Sequence, residues 1–315
     1  MNWNVLVGSA ALTALSFCGG AAAQSLQLSF PVDCRLGQTC EIQNYVDADP
    51  AAGAAKDYRG GSLSYDAHNG TDIRVPTLAA QRAGVAVLAA ADGKVLRGRD
   101  GVPDRSVREP GQAGAVESRE CGNGVVIGHE GGYETQYCHL AMGSLRVKPG
   151  DTVKAGQPIG RIGLSGQTEY PHLHFTVRKG TTVVDPFTPG LWRSPPAYRP
   201  RAVLNAGFHS APVDFAFIEA GQGARPAADA PALVAYARAI GLRAGDVQEI
   251  TLKGPKGEVL ATNRAQPLPR NQAQNMLFVG KKRPAQGWAK GAYTGSYRVL
   301  REGQVVLQQE FRTGL

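Results

Sequence analysis

Between residues 61 and 190 the apolar runs are short, and glycine breaks them repeatedly, as in Val147–Gly163, VKPGDTVKAGQPIGRIG. A helix loses stability at each internal glycine or proline, whereas tight antiparallel turns require such residues. The chain has 40 Gly and 20 Pro among 315 residues and only 19% charged side chains. That combination predicts a mostly β, turn-rich fold. Long amphipathic helical patterns are nearly absent, and the best helical candidate is the short run Ala230–Ile240.

Val85–Ala90 reads as a strand, and Gly93–Leu96 opens another after a turn. Val125–His129 and Tyr133–Leu140 read as a hairpin about Glu130-Gly131-Gly132. Strand alternation places Tyr133, Thr135, Tyr137 and His139 on one face and Cys138 on the other, giving Cys138 a structural role. The stretch 98–120, rich in Gly, Pro, Arg and Asp, reads as an exposed loop of a length that is often functional. Residues 24–60 form a lead-in, and 191–204, with three prolines, read as a linker. Beyond it, Val213–Ile218, Glu249–Lys253, Glu258–Ala261, Tyr297–Leu300 and Val305–Phe311 are strand-like and predict a small antiparallel β-sandwich over 205–315.

Residues 1–23 are apolar and small and end in Ala21-Ala22-Ala23 before the chain turns polar at Gln24. They read as a secretory signal, although no Lys or Arg precedes the apolar core. They are too short for a comfortable membrane span, and no other stretch is long and apolar enough. Removal of the signal takes Cys18 with it and leaves Cys34, Cys40, Cys121 and Cys138. An even number in an exported chain predicts disulfides, with Cys34–Cys40 and Cys121–Cys138 the favoured pairs. The net charge of +8 suits an anionic polymer, but Lys and Arg are scattered without a run, which argues against nucleic acid.

Four of the six histidines fall in three short motifs: His68-Asn69-Gly70-Thr71-Asp72, Tyr137-Cys138-His139-Leu140 and Pro171-His172-Leu173-His174. Imidazole and carboxylate are ligands that suit Zn²⁺, and three of them leave a position open for water. His172 and His174 stand two apart on a strand pattern, so both rings leave the same face. Gly70 allows a tight path on which His68 and Asp72 converge. If His68, Asp72 and His174 are ligands, His139 and His172 remain beside the metal to move protons. No His-Glu-x-x-His occurs, so the helix-borne arrangement with a glutamate base is excluded. His129 and His209 stand outside the set; His129 reads as exposed near the hairpin turn and His209 as structural or exposed.

These three motifs, in this order over roughly 61–190, resemble peptidase family M23, the lysostaphin- or LytM-type zinc endopeptidases. His68-x-Gly70-x-Asp72 is similar to the family's first metal motif. Tyr137-x-His139-Leu140 is similar to its second element, and Gly163-Leu164-Ser165-Gly166 with Pro171-His172-Leu173-His174-Phe175 to its closing signature. The resemblance implies an antiparallel β-sheet groove with zinc at its floor. It makes His68, Asp72 and His174 the metal ligands and His139 and His172 the catalytic pair. It implies cleavage of peptide cross-links in peptidoglycan, in the periplasm or cell envelope. Glu169-Tyr170 depart from the small residues common before the last proline, which bears on the groove wall. Some relatives are non-catalytic regulators of other wall hydrolases; the filled ligand positions argue for an enzyme here. The partner of the C-terminal sandwich is left open.

Overall fold

The structure, a computed structural model, describes Met1, residues 26–221 and residues 223–315. The secretory-signal reading of 1–23 therefore lies outside the described residues, Met1 apart. Ten strands build the first half: β1 (Glu41–Asn44), β2 (Thr71–Arg74), β3 (Ala86–Leu88), β4 (Gly93–Arg99), β5 (Asn123–Gly128), β6 (Tyr133–Leu140), β7 (Thr152–Val153), β8 (Pro158–Arg161), β9 (His172–Lys179) and β10 (Thr182–Val184). They form an eight-stranded sheet in the order β1-β2-β9-β6-β5-β4-β7, with β10 also on β9, and a separate β3–β8 ribbon. The pairings of named strands are antiparallel throughout.

On β9 the alternation is strict: Leu173, Phe175 and Val177 are fully buried on one face, which leaves His172, His174 and Thr176 on the other. The buried face packs on Val87 and Ile159 of the ribbon and on Ile73, Val125, Ile127 and Tyr137 of the sheet. Leu26 and Leu28 of the lead-in and Leu191 and Trp192 of the proline-rich segment join the same core. Those terminal pieces thus wrap the sheet, while the remainder of 191–204 runs into the next strand.

The second half has β11 (Ala202–His209), β12 (Ala232–Leu242), β13 (Val247–Lys253), β14 (Val259–Arg264), β15 (Gln272–Lys282), β16 (Ala292–Arg301) and β17 (Gln304–Gly314). Sheets β11-β12-β15 and β14-β13-β16-β17 face one another. Leu233, Ala235, Ala237 and Ala239 of one meet Ile250, Leu252, Tyr297 and Val299 of the other in a common core. This is the predicted antiparallel sandwich.

Two local expectations fail. Ala230–Ile240, the best helical candidate, contains most of strand β12. Both faces of that strand are buried, so its nearly continuous apolar run hides the period of two. Val213–Ile218, expected as a strand, leads into helix α3. Helix α1 spans Leu78–Ala83, α2 spans Gln112–Ala115 within the 98–120 loop, and α3 spans Phe215–Ala220. Asp214 caps α3 by accepting from the Phe217 amide, and Gly221 ends it in the left-handed region. Both disulfides form as expected, Cys34–Cys40 and Cys121–Cys138. Among the described residues no helix is long and apolar enough to cross a membrane.

Candidate metal centre

Strands β2 and β9 bring the first and third motifs together. Asp72 lies directly opposite His174, and Arg74 opposite His172. The loop before β2 delivers His68, so that His68 Nε2 and His174 Nδ1 stand 3.2 and 2.9 Å from Asp72 Oδ1. His68 Nε2 and His174 Nδ1 are themselves 3.3 Å apart. His172 Nε2 lies 3.4 Å from the same carboxylate oxygen. His139 completes the cluster, its ring centroid 4.7 Å from that of His172 and 5.9 Å from that of His174. The four histidines and the aspartate of the three motifs thus share one site. Two overlapping trios, His68-Asp72-His174 and His139-His172-His174, hold donor atoms within 4.8 Å of one another.

Gly70 serves the site differently from the tight backbone path expected of it. Its backbone is not left-handed. A Cβ there would lie 2.5 Å from His174 Nε2 and 2.9 Å from the Phe175 carbonyl. The glycine makes room for the imidazole on the neighbouring strand.

His139 departs from the expected alternation. Tyr137 pairs with Phe175 and faces the core, whereas Cys138 pairs with His174 on the side of the site. A bulge sets Cys138 and His139 against Gly124 alone. His139 takes a left-handed φ of 63°, rare for a residue with a Cβ. That turn redirects its ring from the core face to the metal cluster. Its amide donates to the Cys121 carbonyl at 2.8 Å, and its Nδ1 donates to the Ser165 carbonyl, also at 2.8 Å. The Cys121–Cys138 disulfide closes over the same bulge. Such strain persists only where surrounding contacts overdetermine it, as these do.

Every histidine of the cluster has one nitrogen committed to an acceptor. His68 Nδ1 donates to the Tyr45 carbonyl at 2.7 Å, His172 Nδ1 to the Tyr170 carbonyl at 2.9 Å, and His174 Nε2 to Asn69 Oδ1 at 3.0 Å. A carbonyl oxygen can only accept, so the neutral rings turn their lone pairs inward. His68 Nε2, His174 Nδ1 and Asp72 Oδ1 then converge as three acceptors with no donor among them. With both rings neutral such a set is repulsive until it binds a cation, either a proton on His68 or a metal ion, and its chemistry fits Zn²⁺.

The electrostatics favour a cation at this point. Burial pushes the Asp72 carboxyl up, but His68, His172 and His174 outweigh it and hold the group well below the usual range. Burial lowers His174. Burial and the neighbouring His172 and His174 put His139 well below the ordinary imidazole value, so it is neutral at pH 7. His68 goes the other way: burial disfavours its charge, yet Asp72 and the Tyr45 carbonyl raise it overall.

Several supporting residues carry no sequence motif. Asn44, from the lead-in, donates to Asp72 Oδ2 at 3.0 Å and to the Tyr170 hydroxyl at 3.2 Å. Tyr170 lies over the Arg74 guanidinium at 4.1 Å. Their signal is tertiary, because Asn44 reaches the site only through the β1–β2 pairing, beside Asp72. Neither remaining histidine joins the cluster. His129, expected to be exposed, is half-buried; it bonds the Asp92 carbonyl and the Thr135 hydroxyl, each at 2.7 Å. His209 is likewise half-buried, within hydrogen-bonding distance of the Ala211 backbone.

The cluster sits between two cavities of 610 and 460 Å³, both lined by His139 and His174, so an open groove runs past it on either side. The 98–120 loop forms part of its wall. Val107 bonds the Thr168 carbonyl through its amide at 2.9 Å, and Arg108 pairs with Glu169 at 2.5 Å.

The family description Peptidase family M23 matches residues 66–186. The chain is 36% identical over 118 residues to the peptidoglycan DD-endopeptidase ShyB of Vibrio cholerae, covering 38% of this chain and 22% of the relative. It is 32% identical over 122 residues to the cell division protein DipM of Caulobacter vibrioides, covering 39% and 16%. The chain therefore spans about a fifth of the length of these curated relatives. Among solved structures, a zinc containing peptidase from Vibrio cholerae is 29% identical, with 48% of this chain and 40% of that one covered and a TM-score of 0.31.

Proposed function

We propose, from the match of residues 66–186 to Peptidase family M23, that the chain is an exported zinc endopeptidase that hydrolyses peptide cross-links of peptidoglycan. The observation that carries the proposal is the convergence of three acceptor atoms, on His68, Asp72 and His174, whose outer partners forbid an inward proton on either neutral ring. These three residues hold the metal. Zn²⁺, when bound there, supplies Lewis acidity, activating water and polarising the scissile carbonyl.

The protein's own groups do the rest. His139 is neutral and fixed through Nδ1, so its Nε2 is free to accept the proton lost by the attacking water. His172, fixed through Nδ1 by the Tyr170 carbonyl, turns its Nε2 into the same site. There it stabilises the developing oxyanion or returns a proton to the leaving amine. Asn44 and Asn69 keep Asp72 and His174 oriented as ligands.

An open groove past the cluster suits an extended peptide, and the net charge of +8 suits an anionic wall polymer. The apolar segment 1–23 and the two disulfides support export. The test is digestion of purified sacculi by the full chain, with muropeptides identified by mass spectrometry. Loss of cross-linked dimers, absent with His174→Ala, is the expected result. Intact cross-links with zinc bound to the wild type would refute the proposal.

A further inference from the structure

The larger cavity beside the cluster is not walled by the peptidase sheet alone. Gly241, Leu242, Asn271, Gln272 and Ala273, at one end of the C-terminal sandwich, line it together with Asp72, His139, His172 and His174. Leu242 and Gln272 are paired residues of β12 and β15, so two adjacent strand ends approach the site together.

Three contacts seat the sandwich in that position. Arg74, two residues after Asp72 on β2, donates to Glu219 of α3 at 2.6 Å and to Gln274 of β15 at 3.2 Å. Arg238 of β12 pairs with the same Glu219 and donates to the Pro76 carbonyl at 2.6 Å. Gly241, with a φ of 70°, leaves no room for a side chain: a Cβ would lie 2.5 Å from the Pro200 carbonyl and 2.9 Å from Leu63. Gln274 and Gln272 are two apart on β15, so they share a face. Gln274 reaches the peptidase sheet, and Gln272 is therefore directed toward the groove.

The cavity lining includes several amides and hydroxyls: Asn44 from the lead-in and Ser62 and Ser64 just after it, with Asn271 and Gln272 from the sandwich. Such groups match the alternating donors and acceptors of a peptide backbone. We infer that the C-terminal sandwich is a substrate-binding wall of the peptidase groove, with Asn271, Gln272 and Ala273 forming a subsite for peptide on one side of the scissile bond. This rests on the reading of the site as a peptide hydrolase. It gives residues 205–315 a role at the active site in place of a remote binding module.

The test is calorimetric binding of a purified cross-linked muropeptide dimer to the full-length, zinc-loaded His139→Ala protein, which holds the ligand without turnover. Adding Asn271→Ala with Gln272→Ala is expected to raise Kd about five- to tenfold, the loss of two modest hydrogen bonds. Gln272→Trp in the same background, which fills the subsite from the groove face of β15, should abolish measurable binding, and unchanged zinc content shows that the site is intact. Equal affinity in all three proteins, or no binding by the starting protein, would overturn the inference. Sacculus digestion by the wild type reports separately. Cleavage with variant-insensitive binding sinks the subsite alone, and variant-sensitive binding without cleavage sinks the hydrolase reading alone.

Discussion

Asp72 and His174 are cross-strand partners on β2 and β9, and the carboxylate Oδ1 lies 2.9 Å from the imidazole Nδ1. The inward-facing nitrogen of His174 is thus set by the sheet register, and Asn69 on its outer nitrogen fixes the tautomer. Asp72→Asn keeps the shape but replaces an anionic proposed ligand with a neutral one. It should cost at least 10- to 100-fold in zinc affinity, in line with losses seen on perturbing metal-site shells. Competitive zinc titration measures this, and circular dichroism should show an unchanged β signature.

His139→Ala should behave differently. The residue is placed to transfer a proton, so hydrolysis should fall by about 10²–10⁴-fold. Bound zinc should stay at one per chain by elemental analysis. A variant that loses zinc and activity together would make His139 a ligand.

The Cys121–Cys138 disulfide encloses a separation of 17 residues and closes over the bulge that turns His139 inward. Removing it by Cys121→Ser with Cys138→Ser should lower stability by about 3 kcal/mol on the loop-entropy estimate. Activity should fall more than with Cys34→Ser and Cys40→Ser, because the other disulfide lies outside the cluster. Urea melts and turnover on a muropeptide dimer measure the two effects.

Zinc affinity should weaken with acidity. Burial opposes a charge on His68, but Asp72 and the Tyr45 carbonyl raise its pKa above the ordinary 6.5 in the metal-free protein. Metal binding must displace that proton, so affinity falls as pH drops through the raised value, by about tenfold per unit for one proton. His139 stays neutral over this interval because burial holds its pKa well below the ordinary value. Titrations against a chelating dye at pH 8, 7 and 6 give the slope. A flat profile would contradict the assignment of His68 as a ligand.

Glu219 stands between the buried guanidinium groups of Arg74 and Arg238. Burial, against the pull of Glu219, lowers Arg74 to about 10. Glu219→Ala would leave two buried cations facing each other and should destabilise the protein by about 3–5 kcal/mol, read as a shift in urea midpoint. Glu219→Gln, which keeps acceptor geometry, should recover part of that loss.

The site was legible wherever its chemistry is local. The His-x-His element places two rings on one face because strands alternate, and β9 bears this out. His68 and Asp72 could be paired from their spacing, although Gly70 acts by clearing space for His174 and has no unusual backbone angle. His139 could be named but not aimed: simple alternation puts it beside Tyr137, and only the bulge against Gly124 turns it round. Asn44 was invisible as a site residue because its role arises from the β1–β2 pairing, and Tyr170 could be placed on the groove wall but not paired with Asn44. In the sandwich, strand β12, buried on both faces along most of its length, carried no usable period. Helix α3 does carry its Asp214 and Gly221 caps in sequence, but at six residues it is too short to show a helical period.

The account gives the two histidines of one strand element different duties, His174 on the metal and His172 in proton transfer. The most direct test is the zinc content per chain of purified His172→Ala and His174→Ala proteins beside the wild type. The prediction is about one zinc retained with His172→Ala and almost none with His174→Ala. The reverse pattern would place His172 on the metal and contradict the division of roles at the centre of the proposed mechanism.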